Sequence, residues 1–158
     1  MPHARLLIVG QRHSQKAEAV EYEQQLRRFA DENFEPDQIQ WLGRSTEVPR
    51  LMQQAKLLIH CAKQEPLGRV LLEAAAAGLP MVTTKVGGTP EILQGLEELM
   101  FAHEKIDKGG LPMALRLLQD PEFHEDVSRR LRSVAEAKFS AARAGGKLLD
   151  CYIDVVGT

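Results

Sequence analysis

The sequence predicts an α/β fold, a Rossmann-like parallel sheet flanked by helices, with a helical C-terminal third. Three observations lead there. Short apolar runs of β type alternate with stretches of helical periodicity, and the runs lack polar alternation, as strands covered on both faces do. The order strand, helix, strand then repeats, and parallel neighbours are what such an order requires, since they need crossover connections.

The strand candidates are "RLLIVG" at residues 5–10, "IQWLG" at 39–43, "KLLIH" at 56–60, "PMVTT" at 80–84 and "LMFA" at 99–102. Between the first two, Tyr22, Leu26, Phe29 and Ala30 recur at helical spacing with charged residues on the other face, which marks a crossover helix. A second helix is expected over residues 68–77, "GRVLLEAAAA", and a third from Pro90, with Thr89 as its cap and Glu91 in its first turn. Beyond residue 106 the pattern is helical, first in "DKGGLPMALRLLQ" and then in "DPEFHEDVSRRLRSVAEAKF". In the latter Asp120 suits the N-cap, Pro121 the first helical position, and Phe123, Val127, Leu131 and Val134 form one apolar stripe. Residues 140–156 carry Leu148, Leu149, Tyr152 and Ile153 and read as a last helix, interrupted early by Gly145 and Gly146.

With 158 residues, 44% of them hydrophobic, residues 1–158 read as a single domain able to bury a core. Twenty basic residues against 22 acidic ones give a net charge of −2, which argues against a nucleic-acid partner. No apolar run reaches the length of a transmembrane segment and "MPHARLLIVG" lacks a signal peptide's cleavage region, so a cytoplasmic protein is expected. Cys61 and Cys151 form no CxxC pair and are expected as reduced thiols in apolar surroundings. His3, His13, His60, His103 and His124 show no metal-ligand spacing, and no metal site is expected. GxGxxG and GxxxxGK[ST] are both missing, which argues against a dinucleotide or P-loop site. His60, at a strand end, reads as a core histidine.

Ligands of open parallel sheets sit beyond the carboxyl ends of the strands, and two loops qualify. The first runs through Glu65, Pro66, Leu67 and Gly68 into the helix at 68–77. Gly68 allows close backbone approach, and the first free N–H groups of that helix form an anion site. Only Arg69 and Glu73 are polar there, at i and i+4 on one face. Arg69 stands in the first turn, where the helix dipole disfavours a cation by about 0.3 to 1 kcal/mol unless an anion such as phosphate is bound. Two readings stand: a phosphate site, or a surface ion pair with Glu65 as a solvated loop residue. The second loop, "KVGGTPEIL", places Gly87 and Gly88 before another helix start and reads either as part of the same site or as a plain strand-to-helix turn.

Residues 65–93, "EPLGRVLLEAAAAGLPMVTTKVGGTPEIL", closely resemble the signature of the retaining, nucleotide-sugar-dependent glycosyltransferases of family 4, which have the GT-B fold. Glu65, Pro66, Gly68, Glu73, Gly78, Pro80, Gly87, Gly88, Pro90 and Glu91 all fall on that pattern, and a looser likeness covers nearly the whole chain. The resemblance implies the donor-binding, C-terminal half of a GT-B fold, with a nucleotide diphosphate sugar as substrate and no cofactor. By position, Glu65 would bind donor-sugar hydroxyls and Glu73 the ribose hydroxyls, as suits a carboxylate's several acceptor sites. Backbone N–H groups around Leu67, Gly68, Arg69 and Val70 would cradle sugar and diphosphate, and Gly43 and Arg44 would border the base.

Two departures from the family pattern stand out. Leu67 replaces the usual Phe, and the Gly-Arg pair and helix-leading Lys that the family carries before "LLIVG" are not in this sequence. The expectation is therefore a donor-binding portion that is inactive alone, whose sheet edge is covered by the N-terminal acceptor domain, by another chain or in a homodimer. The rival reading is a non-catalytic nucleotide-binding or assembly module on the same fold.

Overall fold

The computed structural model describes residues 4–156, and His3 lies outside them. The chain forms two compact units, residues 1–48 and 49–158. The first holds β1 (Leu6–Val9), α1 (Ala17–Asn33) and β2 (Ile39–Gly43). The two strands run parallel, with Leu6 opposite Ile39, Leu7 opposite Gln40 and Ile8 opposite Trp41. The register then slips so that Val9 faces Gly43, and the Gly10 N–H donates to the Gly43 carbonyl at 2.7 Å. Gly43 takes φ +62°, a left-handed conformation that ends the strand.

Helix α1 departs from the expected stripe. Ala30 is buried, but Tyr22, Leu26 and Phe29 are exposed, because a two-stranded ribbon offers too little apolar area to cover a 17-residue helix. Ion pairs tie its other side instead: Glu23 accepts from Arg12 at 2.9 Å and from Arg27 at 3.0 Å. The Arg27 guanidinium also stacks over the Trp41 ring, 4.3 Å from its centroid.

The second unit contains a three-stranded parallel sheet in the order β3 (Leu58–His60), β4 (Met81–Thr84), β5 (Met100–Phe101). A short helix, α2 (Val48–Gln54), leads into it, an element the sequence reading did not foresee. Only β4 is buried along its whole length, as suits the central strand; β1 and β3 are partly exposed, contrary to the expectation of strands covered on both faces. Helix α3 (Arg69–Ala77) crosses from β3 to β4, and α4 (Thr89–Ile92) follows β4. A π-turn at Ile106–Gly110 runs into α5 (Leu111–Gln119), and α6 (Pro121–Phe139) packs across α3. The core is Leu71, Met81, Leu93, Leu99, Leu117 and Leu131 with Val82 and Val127, each burial stabilising by roughly 1.5 to 3 kcal/mol.

Caps fix the helix ends. Asp120 caps α6 as expected, its Oδ1 accepting the Phe123 N–H at 3.0 Å. The far end of α3 closes in a Schellman arrangement: Gly78, at φ +68°, donates to the Ala75 carbonyl and Leu79 to that of Ala74. From α6, the buried Ser128 hydroxyl donates to the Gly78 carbonyl at 2.6 Å, so that end of α3 is clamped. Residues 141–156 form one continuous helix, α7 (Ala141–Val156), through Gly145 and Gly146, which replaces the expected interruption; each helical glycine costs about 1 kcal/mol and weakens the helix without ending it. No residue of α7 is buried. Cys151 on α7 and Cys61 after β3 are both exposed free thiols, not the apolar contacts expected of them. Among the described residues no helix is long and apolar enough to cross a membrane, and no group of three metal-ligating side chains is assembled.

Candidate functional site

The site grows from the end of β3. His60 is the last residue of that strand and pairs in register with Thr83 of β4, which places both side chains on one face of the sheet. The chain then turns through residues 61–68 toward α3. Thr84, fully buried, holds the start of this turn: its hydroxyl donates to the Ala62 carbonyl at 2.6 Å.

Gly68 is the hinge of the loop. Its φ of +80° is left-handed, which favours glycine, and a Cβ there would lie 2.8 Å from Ile92 Cδ1, so that side chain would have to shift. Its carbonyl accepts the first two bonds of α3, from Leu71 at 2.9 Å and Leu72 at 3.1 Å. The N–H groups of Arg69 and Val70 precede those bonds and have no partner within the helix, as at any helix start. Gly68 donates its own N–H to Glu65 Oε1 at 2.8 Å. The other Glu65 oxygen, Oε2, lies 3.4 Å from His60 Nε2, and His60 Nδ1 lies 3.5 Å from the Thr83 hydroxyl. His60 is thus not a core histidine but lies half-buried between the Glu65 carboxylate and the Thr83 hydroxyl.

The second loop is laid against the first. A Cβ on Gly87 would overlap the Glu65 carbonyl oxygen, and one on Gly88 would stand 2.9 Å from the Leu67 carbonyl. In the space left free, the Gly88 N–H donates to the Glu65 carbonyl at 3.2 Å. Helix α4 begins one residue earlier than expected, with Gly88 as N-cap and Thr89 inside the first turn. Thr89 caps nothing, because its side chain is turned into the core; its hydroxyl is the one fully buried side-chain oxygen without a hydrogen-bond partner among the described residues.

Arg69 and Glu73 sit on the outer face of α3, 3.5 Å apart and 81% and 48% exposed, so the surface ion pair of the plainer reading does form. Such a pair is loosely held and contributes at most about 0.5 kcal/mol. Leu67 is exposed beside it and Val70 half-buried. Glu65, Leu67, Gly68, Arg69, Val70 and Glu73 are therefore gathered at one loop and one helix. Gly43 and Arg44 belong to the first unit, at and after the end of β2. Sequence reasoning missed the part taken by His60 and Thr83; the signal available was a strand-end histidine five positions before the glutamate.

The sequence profile described as "Glycosyl transferases group 1" matches residues 1–133. The chain is 30% identical over 120 residues to N-acetyl-alpha-D-glucosaminyl L-malate synthase of Bacillus anthracis, a match that takes in 76% of this chain and 32% of that protein. It is 39% identical over 83 residues to the lipopolysaccharide glucosyltransferase WaaG of Escherichia coli, covering 52% of this chain and 20% of WaaG. Its fold superposes on Anabaena HepE, solved in complex with UDP and glucose, with a TM-score of 0.80 and 22% identity over 96% of this chain and 41% of HepE. The chain thus spans about a third of the length of the Bacillus anthracis relative.

Proposed function

Because the chain belongs to the group 1 glycosyl transferases, we propose that it forms the donor-binding portion of a retaining glycosyltransferase of the family 4 type, which moves a sugar from a nucleotide diphosphate sugar to an acceptor. The observation that carries this is the fit of the two loops, Gly87 and Gly88 pressed against Glu65 to Leu67, which leaves the N-terminus of α3 as a shaped set of donors beside a held carboxylate. The Arg69 and Val70 N–H groups and the Arg69 guanidinium take the diphosphate. Glu73, freed from its weak pair, accepts from the ribose hydroxyls, and Glu65 from those of the sugar.

Catalysis follows from the charge that develops as the diphosphate leaves. Preorganised N–H donors at a helix end stabilise that charge without reorganising, and a carboxylate fixed on the sugar hydroxyls orients the reacting carbon. The acceptor comes from a further domain or chain, so residues 1–158 alone bind weakly and do not turn over. A non-catalytic module is favoured by one observation, that Arg69 and Glu73 face each other at 3.5 Å on the outer side of α3, the plain surface pairing.

Calorimetric titration with UDP, GDP and ADP, beside Glu73→Ala, tests the proposal. Binding of one diphosphate that weakens in the variant supports a donor site and ranks the bases. Absence of binding to all three counts against it.

A further inference from the structure

We propose that His60 is a positioning residue for Glu65: it holds the carboxylate across the mouth of α3 with two acceptor positions turned outward for sugar hydroxyls. The role in sugar binding rests on the proposed function; the holding of the carboxylate does not.

An ionised carboxylate offers about four acceptor positions. Gly68 N–H occupies one on Oε1, and His60 Nε2 faces one on Oε2. Both oxygens are thereby restrained, and the long side chain has surrendered its rotamer freedom before any ligand arrives. The imidazole is restrained in turn, because the strand register sets His60 beside Thr83 and Thr83 is fully buried.

The Thr83 hydroxyl makes this arrangement insensitive to the charge on the ring. A hydroxyl both donates and accepts. Toward a neutral ring it donates to Nδ1; toward a doubly protonated ring it accepts from Nδ1–H and donates to the Thr84 carbonyl, 3.3 Å away. In either state Nε2 is free to carry a proton on the side where Glu65 lies, and an ionised carboxylate can only accept it. With side chains 17% and 23% exposed, the His60 and Glu65 pair is also less screened by water than the Arg69 and Glu73 pair.

The test uses the chain with His60→Ala and His60→Gln; a glutamine amide can supply an N–H near the place of Nε2. Without ligand, the backbone amide of Gly68 reports on the Glu65 bond: its proton resonance moves upfield in H60A and returns in H60Q. With ligand, H60A weakens UDP-glucose about tenfold, since Glu65 must then be ordered on binding, and changes UDP by less than about twofold; H60Q recovers most of the loss. An unmoved Gly68 amide in H60A, or a glutamine variant no better than alanine, overturns the holding role. Equal weakening of UDP and UDP-glucose overturns the role toward the sugar. If the unaltered chain binds neither, the proposed function fails while the Gly68 response still decides the holding role. Should H60A not fold, Glu65→Gln serves, because the His60 Nε2 resonance then shifts if the two groups are in contact and stays fixed if they are not.

Discussion

The Gly87 Cα lies so near the Glu65 carbonyl that a methyl group on it would overlap the oxygen. The obstacle is main chain, which cannot rotate aside as a side chain does, and Gly87 already sits at φ +50°. Gly87→Ala therefore has to push the two loops apart. We expect a loss on the order of 3 kcal/mol, from left-handed strain plus displaced backbone. Denaturant unfolding measures it, and nucleotide binding should fall with it; a variant as stable as the parent would show that the loops do not touch in solution.

The Asp120 cap offers a change remote from both loops. Asp120→Ala leaves the Phe123 N–H without its side-chain acceptor and should cost about 1 kcal/mol. Nucleotide affinity should be unchanged. A binding defect at full folding would place the α6 N-terminus in the site, against the assignment made above.

Glu23 supplies a pH dependence. Hydrogen bonds from Arg27 and then Arg12 hold its carboxyl below the ordinary value of 4.5. The folded chain thus binds this proton less readily than the unfolded one, so the contribution is present above about pH 4.5 and fades as pH falls through the lower folded value. Glu23→Gln should be the less stable chain at pH 7 and should converge on the parent in acid. Salt should shrink the difference, because the groups are solvated. A gap that persists at low pH would mean that the glutamate acts through packing.

Cys61 is predicted to be a sluggish thiol. Removal from water raises its pKa above the ordinary 9.0, so little thiolate exists at neutral pH although the residue is accessible. In a Cys151→Ser background, alkylation by iodoacetamide should still be accelerating at pH 9. A rate that levels off below that pH would contradict the shift.

The local chemistry of the second unit was largely legible in the sequence. Asp120 announces a helix start through its capping carboxylate, Gly68 stands where a helix was expected to begin, and the apolar composition of residues 80–84 matches the strand that is buried throughout. What failed depended on partners distant in the chain. Tyr22 and Phe29 follow a helical stripe, yet periodicity does not say how wide a sheet will lie beneath it. Thr89 looked like a cap until its side chain was drawn into the core, and His60 acquired a role only when strand register set it beside Thr83 and the loop returned Glu65 to it. Gly145 and Gly146 suggest a break that does not occur, since a glycine weakens a helix without forbidding it.

The clamp on the far end of α3 bears on the thermodynamics of recognition. Ser128 and the Schellman turn fix a nine-residue rod at one tip, and the donors lie at the other, about 13 Å away. A ligand meeting those donors finds them already aligned, so their ordering falls to folding and not to association. Loosening the clamp by Ser128→Ala should therefore make binding entropically less favourable, with every group that touches the ligand left intact.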